Sequence, residues 1–292
     1  MRAFANCLLV IILSVGCSVY GQPIVIDEIN NITRMPGDEL YAEWSSDSKS
    51  LLFESIEDKT SSIYLYQLTN DSLFRLSDKN YNLKNPTWHP DGNKVVFDSD
   101  KEGFDYLYML DVVTMKVYPL FNRRIRCKNA TFSSSSRQVY FSGFDELKDC
   151  WEVYGYDFIY NNLNKLTESC AGSSYPDIYN NGKQIVYCST KVDSSLMVII
   201  NWYGEQILMF NKFNAYYPSW GPAGFKLFFI STMDDENGEL YSIWKDGSHL
   251  ERLTHDNIKI ANPVISPDGT KLAMSALTQN GWDIFIIDII DY

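Results

Sequence analysis

The chain has 292 residues, 45% hydrophobic and 15% aromatic, enough for a large core, and the length suits one big all-β domain as well as two domains. A formal net charge of -12 and a pI near 4.7 argue against nucleic acid or an anionic membrane surface as the main partner, because both reward clustered Lys and Arg. The same excess of acid serves solubility.

Residues 1 to 21 differ from the rest. Arg2 precedes an apolar run, Leu8 to Val15, which is too short to span a bilayer and leads into small residues, so an export signal cut after Gly21 is expected. A competing reading takes Ser14-Val15-Gly16-Cys17 as a lipoprotein signal with lipid on Cys17, although Ser14 stands where such signals usually carry Leu. No later stretch is long and apolar enough for a membrane helix. Beyond the signal lie Cys127, Cys150, Cys170 and Cys188. Their even number makes disulfides plausible in an exported protein, with three connectivities open, while four buried thiols fit a large core nearly as well.

After a first strand at Ile24 to Thr33, the chain settles into a repeat. Its anchors are Trp44, Trp88, Phe132, Ile178, Trp220 and Ile265, spaced by 44, 44, 46, 42 and 45 residues. The second copy shows the pattern: Trp88 ends a strand, Pro90-Asp91-Gly92 presets a tight turn, and Val95 to Phe97 returns as a β-branched and aromatic strand. Nine residues after each anchor stand Phe53, Phe97, Phe141, Tyr187, Phe229 and Met274; two before it, Pro86, Pro176, Pro218 and Pro263 fill four copies of six. A third strand follows, as in Ile63 to Tyr66 or Asp283 to Ile287, then a fourth ending in Arg75-Leu76-Ser77, Lys165-Leu166-Thr167 or Arg252-Leu253-Thr254. Four antiparallel strands per period of 42 to 46 residues is the pattern of a propeller blade, and six copies predict an all-β, six-bladed β-propeller. The sixth copy stops after its third strand, so residues 24–33 are expected to complete the last blade and close the ring. The blades fall at about 40–78, 84–121, 128–168, 174–211, 215–255 and 259–290 plus 24–33.

Pro86-Thr87-Trp88-His89-Pro90-Asp91-Gly92, Pro263-Val264-Ile265-Ser266-Pro267-Asp268-Gly269 and Gly281-Trp282-Asp283-Ile284-Phe285 resemble the repeats of TolB-type six-bladed propellers, within the wider WD-like class. The resemblance covers residues 22–292 and implies a periplasmic or secreted protein that binds other proteins through one face or the channel. It lacks room for the N-terminal domain that precedes the propeller in TolB itself. Similar repeats also accompany peptidases and build some polysaccharide lyases, so the fold leaves the function open.

Catalytic signatures are sparse in this chain. There is no G-x-S-x-G stretch. His89 lies in a turn, and His249 and His255, six apart, could meet a metal only with distant partners. The acidic run Asp234 to Glu239 lacks the Asp and Glu that a calcium loop needs at Met233 and Trp244. Asp105, Glu152, Glu239 and Asp283 recur at the start of third strands, which suggests one shared structural part over a glycosidase pair, whose members need unequal settings. No cofactor or metal is expected.

Strand polarity puts the loops between second and third strands on the same face as the loops between blades. The four cysteines map to that face, where Cys150 with Cys170 is the favoured disulfide and Cys127 with Cys188 would remain. The basic run Arg123, Arg124, Arg126 and Lys128, beside Phe121, shares this face and suits an acidic partner or a glycan carboxylate. The expectation is thus an exported, monomeric scaffold that binds an envelope or secreted protein or peptide, soluble or held through Cys17. The alternative is a carbohydrate-active lyase or glycosidase.

Overall fold

Links of a few residues between alternating strands allow only antiparallel meanders, because a parallel return needs a long crossover. In the computed structural model, which describes residues 25–76, 81–121, 125–179, 182–191, 194–255 and 258–290, this is the arrangement throughout. The signal at 1–21, Cys17, Arg123 and Arg124 lie outside the described residues.

The chain enters on β1 (Val25–Asn31). Blade 1 follows as β2 (Asp38–Trp44), β3 (Ser50–Glu57), β4 (Thr60–Gln67) and β5 (Ser72–Arg75), and blade 2 as β6 (Leu83–Trp88), β7 (Lys94–Ser99), β8 (Tyr106–Asp111) and β9 (Val117–Pro119). Blade 3 holds β10 (Cys127–Phe132), β11 (Gln138–Asp145), β12 (Cys150–Asp157) and β13 (Asn162–Lys165); blade 4 holds β14 (Ser173–Ile178), β15 (Gln184–Lys191), β16 (Ser194–Asn201) and β17 (Gln206–Phe210). Blade 5 is β18 (Tyr216–Trp220), β19 (Lys226–Ser231), β20 (Glu239–Trp244) and β21 (Glu251–Arg252). Blade 6 is β22 (Ile260–Ile265), β23 (Lys271–Thr278) and β24 (Gly281–Ile290), with β1 as its fourth strand. Each blade is a four-stranded antiparallel sheet, and no helix occurs among the described residues.

The core sits between blades. Six apolar clusters each join two neighbours: Phe228 and Leu240 meet Leu272 and Phe285, for example, and Trp44, Leu51 and Phe53 meet Ala273, Ile284 and Ile286. Each such side chain contributes about 1.5–3 kcal/mol when buried. The cluster between blades 6 and 1 shows that the ring is closed.

Closure itself rests on β1. It pairs with β24 from Val25↔Ile290 to Asn31↔Phe285. Just beyond it, Ile32 N–H donates to Ile284 O (3.0 Å), Ile284 N–H to Thr33 Oγ1 (2.9 Å), and both Thr33 Oγ1 and the Arg34 N–H to Asp283 Oδ1 (3.1 and 2.9 Å). The same clamp recurs in blade 3, where Thr167 Oγ1 donates to Glu152 and takes the Val153 N–H, and in blade 5 between Thr254 and Glu239. Three of the four recurring acids therefore tie the chain just after a blade's outer strand to its third strand. Asp105 departs from the expected equivalence: Leu107, which accepts the Leu120 N–H, is the counterpart of Val153, so Asp105 falls one residue early and pairs with Lys84 instead (2.9 Å).

Removing residues 25–33 exposes the edge of β24 and leaves Asp283 without Thr33. The expected outcome is a melting temperature lower by on the order of 10 °C or more, against a few degrees for removal of residues 235–237 from the Asp234–Gly238 loop, read by circular dichroism on both variants.

Candidate functional site

Two columns of the repeat share one backbone conformation in all six copies. The fourth residue after each anchor is left-handed: Ser48 (φ 60), Gly92 (72), Ser136 (57), Gly182 (71), Gly224 (66) and Gly269 (77). This closes the tight turn and explains the preference for Gly there. The third residue before each anchor is left-handed as well, although none is Gly: Tyr41 (56), Asn85 (45), Asn129 (54), Tyr175 (51), Tyr217 (51) and Asn262 (52). At that point every first strand carries a bulge against its second, as between Lys84 and Thr87 or Tyr216 and Ser219. Left-handed Tyr is costly, and such outliers persist where the surroundings hold them.

The bulges turn inward. Three residues from each first strand line one central cavity of about 150 Å³, beginning with these six Tyr and Asn residues. The three tyrosines, from blades 1, 4 and 5, meet across it: Tyr175 and Tyr217 lie edge to face at 4.8 Å, Tyr41 lies 6.3 and 6.4 Å from them, and the Tyr41 and Tyr175 hydroxyls are 3.4 Å apart. Burial pushes the Tyr41 phenol up to about 12. The backbone N–H freed at a bulge needs an acceptor, and in blades 2, 3 and 5 the preceding blade supplies it. Asn85 N–H donates to Glu54 Oε2 (3.0 Å), Asn129 N–H to both oxygens of Asp98 (3.1 and 3.2 Å), and the Tyr217 N–H meets the Cys188 sulfur.

The last residues before the anchors form a second ring: Glu43, Thr87, Thr131, Asp177, Ser219 and Val264. Burial raises Glu43 to about 8, helped by the charge of Asp177, and raises Asp177 to about 6 despite the Trp220 N–H at 2.7 Å. Sequence reading missed this ring and the six left-handed residues. The available signal was the column of Tyr and Asn standing immediately before the recurrent Pro.

The loop face shows what became of the other candidates. Cys150 and Cys170 form a disulfide, with Cα atoms 5.4 Å apart, and the Cys170 N–H donates to Glu152 Oε1 (2.8 Å). Cys127 and Cys188 do not pair with each other: both are buried free thiols, Cys127 in the core between blades 2 and 3 and Cys188 facing Ala215 O at 3.2 Å. Of the basic run, Arg126 and Lys128 are described. The Arg126 guanidinium lies between Phe104 (4.6 Å) and Phe144 (4.0 Å), Phe144 meets Trp151 edge on (5.4 Å), and the Lys128 ammonium sits 4.3 Å from the Trp151 ring. Phe104 is 52% exposed and Leu147, in the next loop, 97%.

The histidines stay apart from one another. His89 contacts Asp91 (3.1 Å) and the Phe132 ring, His249 stacks on Trp244, and His255 is exposed. In the acidic run, Asp235 accepts the Asn237 N–H and Asp234 the Tyr241 hydroxyl, local bonds of a solvated loop. Among the described residues, the one convergent set of ligand-type atoms is Cys150, Glu152 and Cys170, whose sulfurs are bonded to each other.

Glu39, enclosed with one unpartnered oxygen, is also raised, to about 7, by burial first and then by Asp283 and Asp38. Acids whose folded pKa lies above the unfolded value contribute most stability below the unfolded value and lose it as pH rises through the folded one. Thermal stability is therefore expected to fall from about pH 4.5 to about pH 8, and Glu43→Gln to make the fall shallower, most of all above about pH 7, where Asp177 and Glu39 have already titrated. Melting curves across this range read both effects.

The family model described as the TolB beta propeller domain matches residues 14–222. Comparison with curated proteins returns no match. Among solved structures, TolB from Acinetobacter baumannii is similar at TM-score 0.66 and 21% identity over 77% of this chain and 56% of that one, so the chain spans little more than half of that relative. A putative TolB from Agrobacterium tumefaciens gives 0.68 and 17% over 90% and 97%, and an oligogalacturonate lyase in complex with manganese gives 0.62 and 12% over 92% and 97%. At these identities the structural likeness speaks for fold alone, which binding proteins and enzymes share. The family match over residues 14–222, with the six-bladed ring, places the chain in the TolB beta propeller domain family.

Proposed function

We propose that this chain is an exported, monomeric scaffold that binds a protein or peptide of the cell envelope through the loop face of blades 2 and 3. The observation that carries the reading is the stack Phe104, Arg126, Phe144, Trp151 and Lys128. Arg and aromatic side chains dominate binding energy at interfaces, and here they hold each other in place before any partner arrives. The exposed Tyr81 and Leu147 extend the apolar ground around it. The Cys150–Cys170 bond braces the adjoining loops, so little ordering remains to be paid on association. In a chain of net charge -12, two cations presented together favour a partner with exposed carboxylates.

Export is supported by the signal-like residues 1–21 and by the disulfide, which persists in oxidising compartments. Against the carbohydrate-active alternative stand the clamps: Glu152, Glu239 and Asp283 are buried and engaged by Thr167, Thr254 and Thr33, which withdraws them from acid–base work.

The test is cross-linking capture from envelope extract with the wild type and with Phe104→Ala/Arg126→Glu/Lys128→Glu. A specific protein should be held by the wild type and reduced about tenfold by the variant. Equal capture by both, or turnover of a polyuronate by the wild type, would overturn the reading.

A further inference from the structure

The central cavity has a chemistry of its own, separate from the loop face. In a six-membered ring, blades 1 and 4 lie opposite each other, so Glu43 and Asp177 confront one another across the axis. Between them stand the hydroxyls of Thr87, Thr131 and Ser219. The ring above carries Asn85 and Asn129, whose Oδ1 atoms are shut from bulk solvent and lack any hydrogen-bond donor. Asn85 has spent its amide nitrogen on Asp98 (2.6 Å), which fixes the side chain with its oxygen left over. The acceptors that face the channel are the two carboxylates: Asp177 takes the Trp220 N–H (2.7 Å) and Glu43 the Thr87 hydroxyl (3.4 Å), which leaves each with lone pairs to spare. A buried acceptor without a donor costs about 1–3 kcal/mol. No Lys or Arg is among the lining residues to answer them.

The rest of the wall is apolar. Pro86, Pro176, Pro218, Pro263, Ala42 and Ala130 surround the axis, and the Tyr41, Tyr175 and Tyr217 rings close round it. A metal ion would suit the carboxylates but leave this wall without a purpose, since hard cations ask for a shell of oxygens. A cation that carries both N–H donors and a short hydrocarbon part satisfies both halves. Aromatic faces attract such an ammonium group, and charge-assisted hydrogen bonds to carboxylate are the strong ones. A cavity of about 150 Å³ limits the guest to a few heavy atoms.

We propose that the channel binds a compact primary ammonium ion, held between Glu43 and Asp177 with its N–H groups on the two carboxylates and its carbon chain against the tyrosine and proline wall. The carboxylates being hard to ionise in the empty channel, binding releases a proton as Glu43 becomes charged. The guest is a small free amine or the amino terminus or lysine tip of a peptide; both present the same head group.

The experiment is calorimetric titration of the signal-free wild-type protein, at matched ionic strength, with propylamine, tetramethylammonium, calcium and manganese, followed by a short peptide with a free and then an acetylated amino terminus. Propylamine should bind saturably with proton uptake by buffers of differing ionisation heat, tetramethylammonium should bind at least about tenfold more weakly because it has no N–H to give, and Glu43→Gln should weaken propylamine about tenfold. Binding of the free but not the acetylated peptide assigns the site to a chain terminus; binding of propylamine alone assigns it to a small amine. Absence of saturable propylamine binding overturns the proposal. So does tetramethylammonium binding as tightly, or a metal that binds while propylamine neither binds nor competes. The wild-type panel needs no variant, so a Glu43→Gln chain that fails to fold leaves the test intact.

Discussion

Each first strand of this propeller carries a bulge that interrupts its ladder, and in blades 2, 3 and 5 the blade before takes the freed N–H. Glu54 does so for Asn85, Asp98 for Asn129 and the Cys188 sulfur for Tyr217. These acceptors are buried, which makes their ionisation costly, raising the Glu54 carboxyl and pushing that of Asp98 well above its ordinary range. The apolar wedges between blades would tolerate some sliding, since dispersion and burial are not directional. The directional contact at the bulge fixes how far one blade stands from the next. The left-handed residues and the shape of the channel follow from it.

The fold was legible because its signals are local and repeated. A turn that demands a left-handed residue selects Gly or Ser at a constant distance from an aromatic or aliphatic anchor, and six copies reveal the column. Ring closure was legible from the unpaired sixth copy. The channel was harder to see because its significance is not local. Glu43 and Asp177 stand 134 positions apart in the numbering and look like ordinary strand acids until the ring sets them face to face.

The cysteines and Asp105 show two further limits. An even number of cysteines suggests disulfides, yet it does not say which thiols meet. Cys188 belongs to the same column as Glu54 and Asp98, ten residues past the anchor, and that column serves the neighbouring blade. Comparing copies by column would have set it apart from Cys150 and Cys170. Asp105 misled for the opposite reason, since a loop of different length shifted it by one place relative to Glu152. In a strand, one place is the difference between one face and the other.

The pairing of β1 with β24 also bears on how the chain reaches its native state. Asn31 and Phe285 are neighbours in space and nearly the whole described chain apart in sequence. The first strand made must wait for the last before it has a partner, and closing so long a loop carries a large entropic cost. Until then, blade 6 presents an open edge and β1 is an unpaired strand, both of which invite association with other chains. The ring is therefore most vulnerable in the interval between emergence of Val25 and emergence of Ile290.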